Sequence, residues 1–592
     1  MRAVAAALMG SGSGQLSAFL FGLKFDLAVA AIVALIWSFL SALPYRLPSK
    51  FGGHFLIGLL VIAQFGDLIY VLESGGHVSY EIFDLAASAG SLAGQALAYP
   101  GIITLALITL VVAMVATSHL LRLDRSGVQA NWLAGVLVLL VTVIVVRGGL
   151  TGIAMNTSTA QGAGSGRDAV VALNGAYSIL FSLATPWRGL PPSPWPNLPD
   201  AKERVAMLQT MTHPPSEGLS NDPKRVNVVF ILLESWPAHY MKSYGGSENT
   251  TPFFDQLRTE SLTTEEMLAN GKRTTEGMFS VFCSYPVPNG RSVARTQVVS
   301  STMPCLPRLL REKGWSSAFF QGSNEHTAGT GNFARALGFA ESYGKADIRN
   351  KPQGENAWGV FDADLYTFAT EHITRMSEPF VVGINTNTTH DLALPANESP
   401  RFPASIPEAP FKNAMASADS ALETFIRRMR NEKFKLPVVF VLVADHTTHT
   451  RGTLLDQYRI PFLMNAPGLI APKKIAGFSS QRDIAPTLME FMGTALPGST
   501  GQSLFRSPLR RIADASLVGR SLWIEGEILI DVSARPDFAT SAKCYRWRTD
   551  AEMSSPVLCD TGLVQDAVAW HSEKYRDLLG GVFRSNSRSL LQ

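Results

Sequence analysis

Long apolar runs fill the first 150 residues of the chain and then stop. Four of them approach the roughly 20 residues that a helix needs to cross a bilayer, at about residues 27–43, 55–72, 102–121 and 132–146. Runs this close together leave too little polar surface for the shell of a soluble protein. The pattern therefore predicts a transmembrane helical domain over residues 1–148, with a weaker fifth run between residues 1 and 22.

The charges between these runs predict an orientation. Arg46 and Lys50 follow the first run, Arg122 and Arg125 follow the third, and the loop after the second run is acidic. Basic loops stay in the cytoplasm. Everything after the fourth run is therefore expected outside the cytoplasm, in a multi-pass membrane protein.

Residues 149–225 show no sustained period and contain a stretch with five prolines between positions 191 and 199. Such a stretch favours a stiff, extended spacer. The segment is predicted to hold juxtamembrane helices and a linker. Trp187 precedes the prolines and Trp195 lies among them, and each could rest at the membrane interface or pack on the domain that follows.

Two short runs in the second half indicate strands buried on both faces of a parallel sheet. Residues 228–233 end at Glu234, and residues 436–444 end at Asp445 and His446. Ligands of open α/β sheets bind beyond the carboxyl ends of the strands, and oxygen and imidazole groups there suit a divalent cation such as Mn, Zn or Mg. Taken alone, Glu234 could equally be the cap of a following helix.

A third segment, residues 271–277, precedes a helix that the apolar pattern predicts from Met278 onward. Thr274 in this segment could be an N-cap and nothing more. A hydroxyl at a helix N-terminus and on a metal, however, has its alkoxide stabilised by both dipole and cation. Thr274 is therefore a candidate nucleophile.

Composition adds two constraints. The net charge of +3 is too small to argue for a nucleic acid partner. The four cysteines all fall in the half predicted to lie outside the cytoplasm, which favours disulfides. Sequence proximity suggests Cys283 with Cys305 and Cys544 with Cys559, although four cysteines allow three pairings.

Eight segments in order resemble the alkaline phosphatase and sulfatase superfamily, and within it the lipoteichoic acid synthase and phosphoglycerol transferase group. They are ILLESW, TPFFDQL, GKRTTEGMF, AWGVFDADLY, NTTHDLALP, ADH, RIPFLMNAPG and QRDIAPTLMEFMG. The resemblance implies an α/β sulfatase-like domain over residues 226–592, with a mainly parallel central sheet between helices. It also implies one divalent metal ion, Mn before Zn or Mg, on Glu234, Thr274, Asp445 and His446. Thr274 then becomes the nucleophile, and His390 a phosphate-binding residue.

The activity that this resemblance implies is transfer of glycerol phosphate from phosphatidylglycerol to an extracytoplasmic glycan or polymer, at the inner membrane of a bacterium. Alternatives are a phosphoethanolamine transferase acting on lipid A, a phosphodiesterase of the same fold, and a catalytically silent sensor. A sulfatase of the formylglycine type is not expected. The segment from Cys305 to Leu309, CLPRL, lacks the Arg that such enzymes carry at its fifth position.

Overall fold

We describe a computed structural model of the chain. The described residues are 15–42, 46–74, 77–78, 97, 99–123, 132–150, 155, 159–160, 163, 170–184, 193–213, 222–288, 292–295, 298, 303–325, 327–447, 453, 455–517, 519–550 and 552–580. The chain folds into two compact units, residues 1–186 and residues 187–592. The predicted boundaries at residues 148 and 225 stay predictions.

The first unit is helical. Its helices are α1 (Gln15–Ala42), α2 (Arg46–Ser74), α3 (Pro100–Leu123), α4 (Trp132–Arg147) and α5 (Gly175–Ala184). Within the described residues, three stretches are long and apolar enough to cross a membrane: Leu16–Phe39, Gly52–Leu72 and Pro100–His119. The fourth predicted span, α4, has 16 residues and is shorter than that. The end of the weak fifth run belongs to α1, because that helix already begins at Gln15.

A nine-stranded sheet forms the centre of the second unit. Its strands are β1 (Asn227–Leu233), β2 (Leu262–Leu268), β3 (Ser316–Gln321), β4 (Glu341–Tyr343), β5 (Phe380–Asn385), β6 (Val438–Ala444), β7 (Arg459–Ile460), β8 (Phe462–Asn465) and β9 (Lys473–Ser480). The order is β4-β3-β5-β1-β6-β8-β2-β7, with β9 beside β2. Strands β7 and β8 run antiparallel to their neighbours, and the other pairs are parallel.

Helices surround this sheet. Helix α6 (Ala201–Thr212) packs instead with the antiparallel sheet described below. The helices around the central sheet are α7 (Pro252–Thr259), α8 (Thr274–Cys283), α9 (Leu306–Glu312), α10 (Thr330–Leu337), α11 (Asp362–Ile373), α12 (Ala409–Asn431) and α13 (Ile484–Phe491). Every residue of β1 is buried, as the continuous apolar run predicts for a central parallel strand. The predicted fold class is confirmed: apolar N-terminal helices precede an α/β domain with a mostly parallel sheet.

A second, antiparallel sheet follows the first. It consists of β10 (Ile512–Leu517), β11 (Arg520–Glu525), β12 (Ile528–Ser533) and β13 (Lys543–Arg546), in that order. The short helix α14 (Phe538–Ser541) and the terminal helix α15 (Thr561–Gly580) accompany it. Trp195 packs against this part of the second unit and its ring stacks on His571. Trp187 lies outside the described residues.

Both predicted disulfides are confirmed. Cys283 bonds to Cys305, and Cys544 bonds to Cys559. The first disulfide ties the end of α8 to the residue before α9. Cys305 is therefore a structural cysteine, in agreement with the prediction that the CLPRL segment is not a formylglycine motif.

Candidate metal and nucleophile site

Four predicted side chains meet at the carboxyl edge of the central sheet. The hydroxyl of Thr274 lies 3.4 Å from Glu234 Oε2 and 3.4 Å from His446 Nε2. His446 Nε2 in turn lies 3.6 Å from Glu234 Oε1 and 3.4 Å from Asp445 Oδ2. Strands β1 and β6 are adjacent and parallel, with Leu233 paired to Ala444, so the residues that follow them arrive side by side.

Thr274 is the first residue of α8, four residues before the predicted start of that helix. Polar residues fill the first turn, and apolar periodicity begins only later, which is why the hydrophobic pattern missed the first turn. The hydroxyl therefore lies where the positive end of the helix dipole acts. Gly277 brings α8 close to β6, since a Cβ at this position would lie 2.3 Å from the carbonyl oxygen of Asp445.

Glu234 is held by its neighbours on three sides. Its carboxylate accepts hydrogen bonds from Ser235 Oγ at 2.7 Å and from Asn385 Nδ2 at 3.3 Å, and its backbone N–H donates to Thr386 Oγ1 at 2.8 Å. Ser235 has φ = 59°. In this left-handed conformation its N–H also donates to Asp445 Oδ1 at 2.9 Å, so one residue fixes both carboxylates.

The charges of this cluster are not balanced. Glu234 and Asp445 are both fully buried, and their ion-pair partners among the described residues are histidines, His390 and His446. The pKa of Glu234 is raised to about 8, mainly because the carboxyl group is buried and secondly because Asp445 is negatively charged. Asp445 Oδ2 is buried and accepts no hydrogen bond from any residue that the structure describes. Two buried carboxylates this close together repel each other when both are ionised, so a bound cation or a proton would stabilise the pair.

The donor set fits a divalent cation. One ligand atom each from Glu234, Asp445 and His446 lies within 4.8 Å of the others, and these oxygen and nitrogen donors suit Mn, Zn or Mg. Thr274 Oγ1 lies next to two of them. The arrangement can therefore hold an ion against a hydroxyl, and the role of each residue stays a prediction.

His390 lies beside the cluster, with Nε2 3.6 Å from Glu234 Oε1 and 27% of the side chain exposed. The ring of Trp358 stacks on it, with centroids 4.5 Å apart and planes 13° apart. Asp362 supports this loop by accepting hydrogen bonds from the backbone N–H groups of Asn387 and Thr388. The ring stack therefore gives Trp358 a contact with a predicted site residue.

Sequence reasoning missed Ser235, Asn385 and Gln481, all of which hold the predicted ligands. Asn385 ends β5, so its position at a parallel strand end was a usable signal. The left-handed conformation of Ser235 and the contacts of Gln481 have no signature in the sequence.

Comparisons with known proteins agree with this fold. Residues 226–494 match the Sulfatase family model. Phosphoglycerol transferase I of Escherichia coli O127:H6 is 26% identical over 240 residues, which are 38% of this chain and 31% of that protein, and the same enzyme of strain K12 matches equally. The match thus spans about a third of the length of these relatives.

Two solved structures share the fold. A protein of the alkaline phosphatase superfamily from Vibrio parahaemolyticus superposes with a TM-score of 0.58 at 21% identity, covering 66% of this chain and 98% of that one. The lipoteichoic acid synthase LtaP from Listeria monocytogenes gives a TM-score of 0.52 at 16% identity, with the same coverage. This chain therefore matches the Sulfatase family model over residues 226–494 and shares its fold with these two structures.

Proposed function

We propose that this chain is a membrane-anchored phosphoglycerol transferase that moves glycerol phosphate from phosphatidylglycerol to an extracytoplasmic glycan or polymer. The observation that carries the proposal is the Thr274 hydroxyl, at a helix N-terminus and 3.4 Å from both Glu234 Oε2 and His446 Nε2. The activity named for the E. coli relatives supports glycerol phosphate as the transferred group.

Glu234, Thr274, Asp445 and His446 would hold one divalent metal ion, with Mn the first choice and Zn or Mg the alternatives. When bound, such an ion lowers the pKa of a coordinated hydroxyl and neutralises charge on phosphoryl oxygens. The protein's own contribution is to fix these groups before substrate arrives. Ser235 supplies much of that, because its backbone and side chain hold both carboxylates.

In the first half-reaction Thr274 Oγ1 forms a bond to phosphorus, and the bond from phosphorus to the diacylglycerol oxygen breaks. The threonine hydroxyl gives its proton to water, and the leaving oxygen gains one from His390. An acceptor hydroxyl then attacks phosphorus and gives its proton to His390, and the released Thr274 Oγ1 takes a proton back from water. Such a covalent intermediate predicts ping-pong kinetics.

The cysteines support the proposed location of the domain. Two disulfides and no free cysteine are present in the described residues. Disulfides persist in oxidising compartments. Together with the three apolar helices, they support an inner-membrane protein with its catalytic domain on the extracytoplasmic side, facing the lipid donor.

The test is covalent labelling of Thr274 by lipids labelled in the head group. The purified full-length protein is incubated with Mn²⁺ and either phosphatidylglycerol or phosphatidylethanolamine, and the label is located by peptide mass spectrometry. We expect label on Thr274 from phosphatidylglycerol, and none in Thr274→Ala. Label from phosphatidylethanolamine alone would favour a phosphoethanolamine transferase, and unchanged diacylglycerol release by Thr274→Ala would exclude Thr274 as the nucleophile.

A further inference from the structure

Gln481 is a buried residue at the edge of the candidate site. It directly follows β9, which runs parallel to β2 with Ser480 paired to Leu268. The strand end at Leu268 leads through Asn270 to Thr274. The side chain of Gln481 is fully buried, so its carboxamide must find its partners inside the protein.

The nitrogen and the oxygen of the Gln481 carboxamide both form hydrogen bonds to the backbone. Nε2 donates to the carbonyl oxygens of Ala444 at 2.9 Å and Asp445 at 2.8 Å. Oε1 accepts from the backbone N–H of Asn270 at 2.9 Å. One side chain therefore joins the end of β6 to the end of β2, although β8 lies between these strands in the sheet.

These two strand ends carry the two halves of the site. The end of β6 supplies Asp445 and His446, whereas the end of β2 leads to α8 and Thr274. The Asp445 carbonyl that Gln481 binds is also the group on which α8 rests, at the close approach of Gly277. A shift of this carbonyl would change the spacing between ligands and nucleophile.

Asn270 continues the connection into the antiparallel sheet. Its Nδ2 donates to Asp514 O at 2.8 Å, its Oδ1 accepts from Ser480 Oγ at 2.8 Å, and its carbonyl accepts from Ser516 N–H at 2.9 Å. The chain before Thr274 is thus fixed to the second sheet as well as to Gln481.

We propose that Gln481 is a positioning residue whose carboxamide holds Asp445 and His446 in register with the helix that presents Thr274. This inference rests on the proposed function, because it assumes that these residues bind a metal ion. Mutation of a residue that hydrogen-bonds to a metal ligand and orients it lowers the metal affinity roughly 10–100-fold.

The test compares two buried glutamines in the full-length protein. Gln502 also bridges backbone groups, donating to Arg510 O at 2.8 Å and accepting from Ile512 N–H at 3.1 Å. Gln481→Asn and Gln502→Asn shorten each side chain by one methylene and withdraw its amide. Mn²⁺ affinity is measured by calorimetry, and the melting temperature is measured without metal.

We expect both variants to melt earlier, and only Gln481→Asn to bind Mn²⁺ roughly 10–100-fold more weakly. If Gln481→Asn does not fold, Gln481→Glu is measured in its place. Glutamate has the same size as glutamine, but it replaces the amide nitrogen that donates to two carbonyl oxygens with an oxygen that accepts. Wild-type affinity in a folded Gln481 variant overturns the positioning role, provided that Glu234→Gln loses binding. If Glu234→Gln binds Mn²⁺ like the wild type, the proposed metal centre itself is wrong.

Discussion

Two buried clusters in the second unit contain the same kinds of side chain. The site cluster consists of Glu234, Thr274, Asp445 and His446, with Trp358 stacked on the neighbouring His390. The Arg482 cluster consists of Arg482, Asp514, Ser521 and His571, with Trp195 stacked on His571. In the second cluster, Ser521 Oγ lies 2.5 Å from His571 Nε2, and Asp514 lies 4.0 Å away from the same nitrogen.

The two clusters differ in charge balance and access. Arg482 donates to Asp514 Oδ1 through both Nε and Nη2, so one cation neutralises one carboxylate. The site cluster has two carboxylates whose described ion-pair partners are histidines. Ser521 and His571 are also buried, whereas Thr274 and His390 are partly exposed. Contact among a serine, a histidine and an aspartate therefore does not by itself indicate an active site. Substrate must also be able to reach these residues, and their net charge must be left for a bound ion to balance.

The largest expected difference between the clusters is in turnover. Thr274→Ala should lower phosphoglycerol transfer by about 10⁴-fold or more, because a nucleophile that acts with its partners as a unit is removed. The measurement is diacylglycerol release from phosphatidylglycerol. The matched variant Ser521→Ala also removes a hydroxyl next to a histidine and should leave the rate unchanged. Equal losses in both variants would contradict the distinction.

The next effect is on stability. Asp514→Asn leaves the Arg482 guanidinium buried without its counter-charge, which should lower the free energy of unfolding by about 3–5 kcal/mol. Asp445→Asn removes the negative charge that, next to burial, raises the pKa of Glu234, and it should stabilise the metal-free protein or leave it unchanged. Urea unfolding without metal measures both. A large destabilisation by Asp445→Asn would mean that the attraction between its carboxylate and His446 outweighs the repulsion from Glu234.

The clusters should respond to pH in opposite directions. Burial raises the pKa of Glu234 from 4.5 to about 8, so the native state keeps a proton that the unfolded chain has lost. Metal-free stability should therefore fall as pH rises between about 4.5 and 8. Burial lowers the pKa of His571 from 6.5 to about 4, so stability should fall as pH drops through that interval.

Single variants separate the two pH effects. Thermal melts of metal-free protein from pH 4 to 9 should lose the alkaline slope in Glu234→Gln and the acidic slope in His571→Phe. Saturating Mn²⁺ should also flatten the alkaline slope, since bound cation favours the ionised carboxylate. A wild-type slope in Glu234→Gln would show that another group titrates there.

The smallest effect concerns the stacked tryptophans. An aromatic stack contributes about 0.5–1.5 kcal/mol beyond its buried area. Trp358→Ala should therefore slow transfer by about 2–10-fold through a less ordered His390, and Trp358→Phe should restore most of the rate. Trp195→Ala should reduce stability and leave the rate unchanged. The rate constant and the melting temperature of each variant provide the check.

The sequence predicted the elements that depend on local pattern. Strands β1 and β6 carry continuous apolar runs rich in β-branched residues, and their carboxyl ends mark Glu234, Asp445 and His446. The start of α8 was placed four residues late because its polar first turn has no apolar period.

Contacts between segments that are distant in the chain could not be predicted from the sequence. Gln481 reaches Asp445 over 36 residues of chain and Asn270 over 211. The pairing of Arg482 with Asp514 likewise joins separate elements, and it decides that His571 is a core residue. Side-chain partners of this kind depend on the packed sheet and leave no period or spacing in the chain.

Glu234, Thr274, Asp445 and His446 are proposed to share one cation. Crystals grown with Mn²⁺ and measured at the manganese absorption edge test it most directly, because anomalous scattering locates the ion without assumptions about ligands. We expect one strong manganese peak bounded by these four side chains. A peak elsewhere, or an empty site at saturating Mn²⁺, would contradict it.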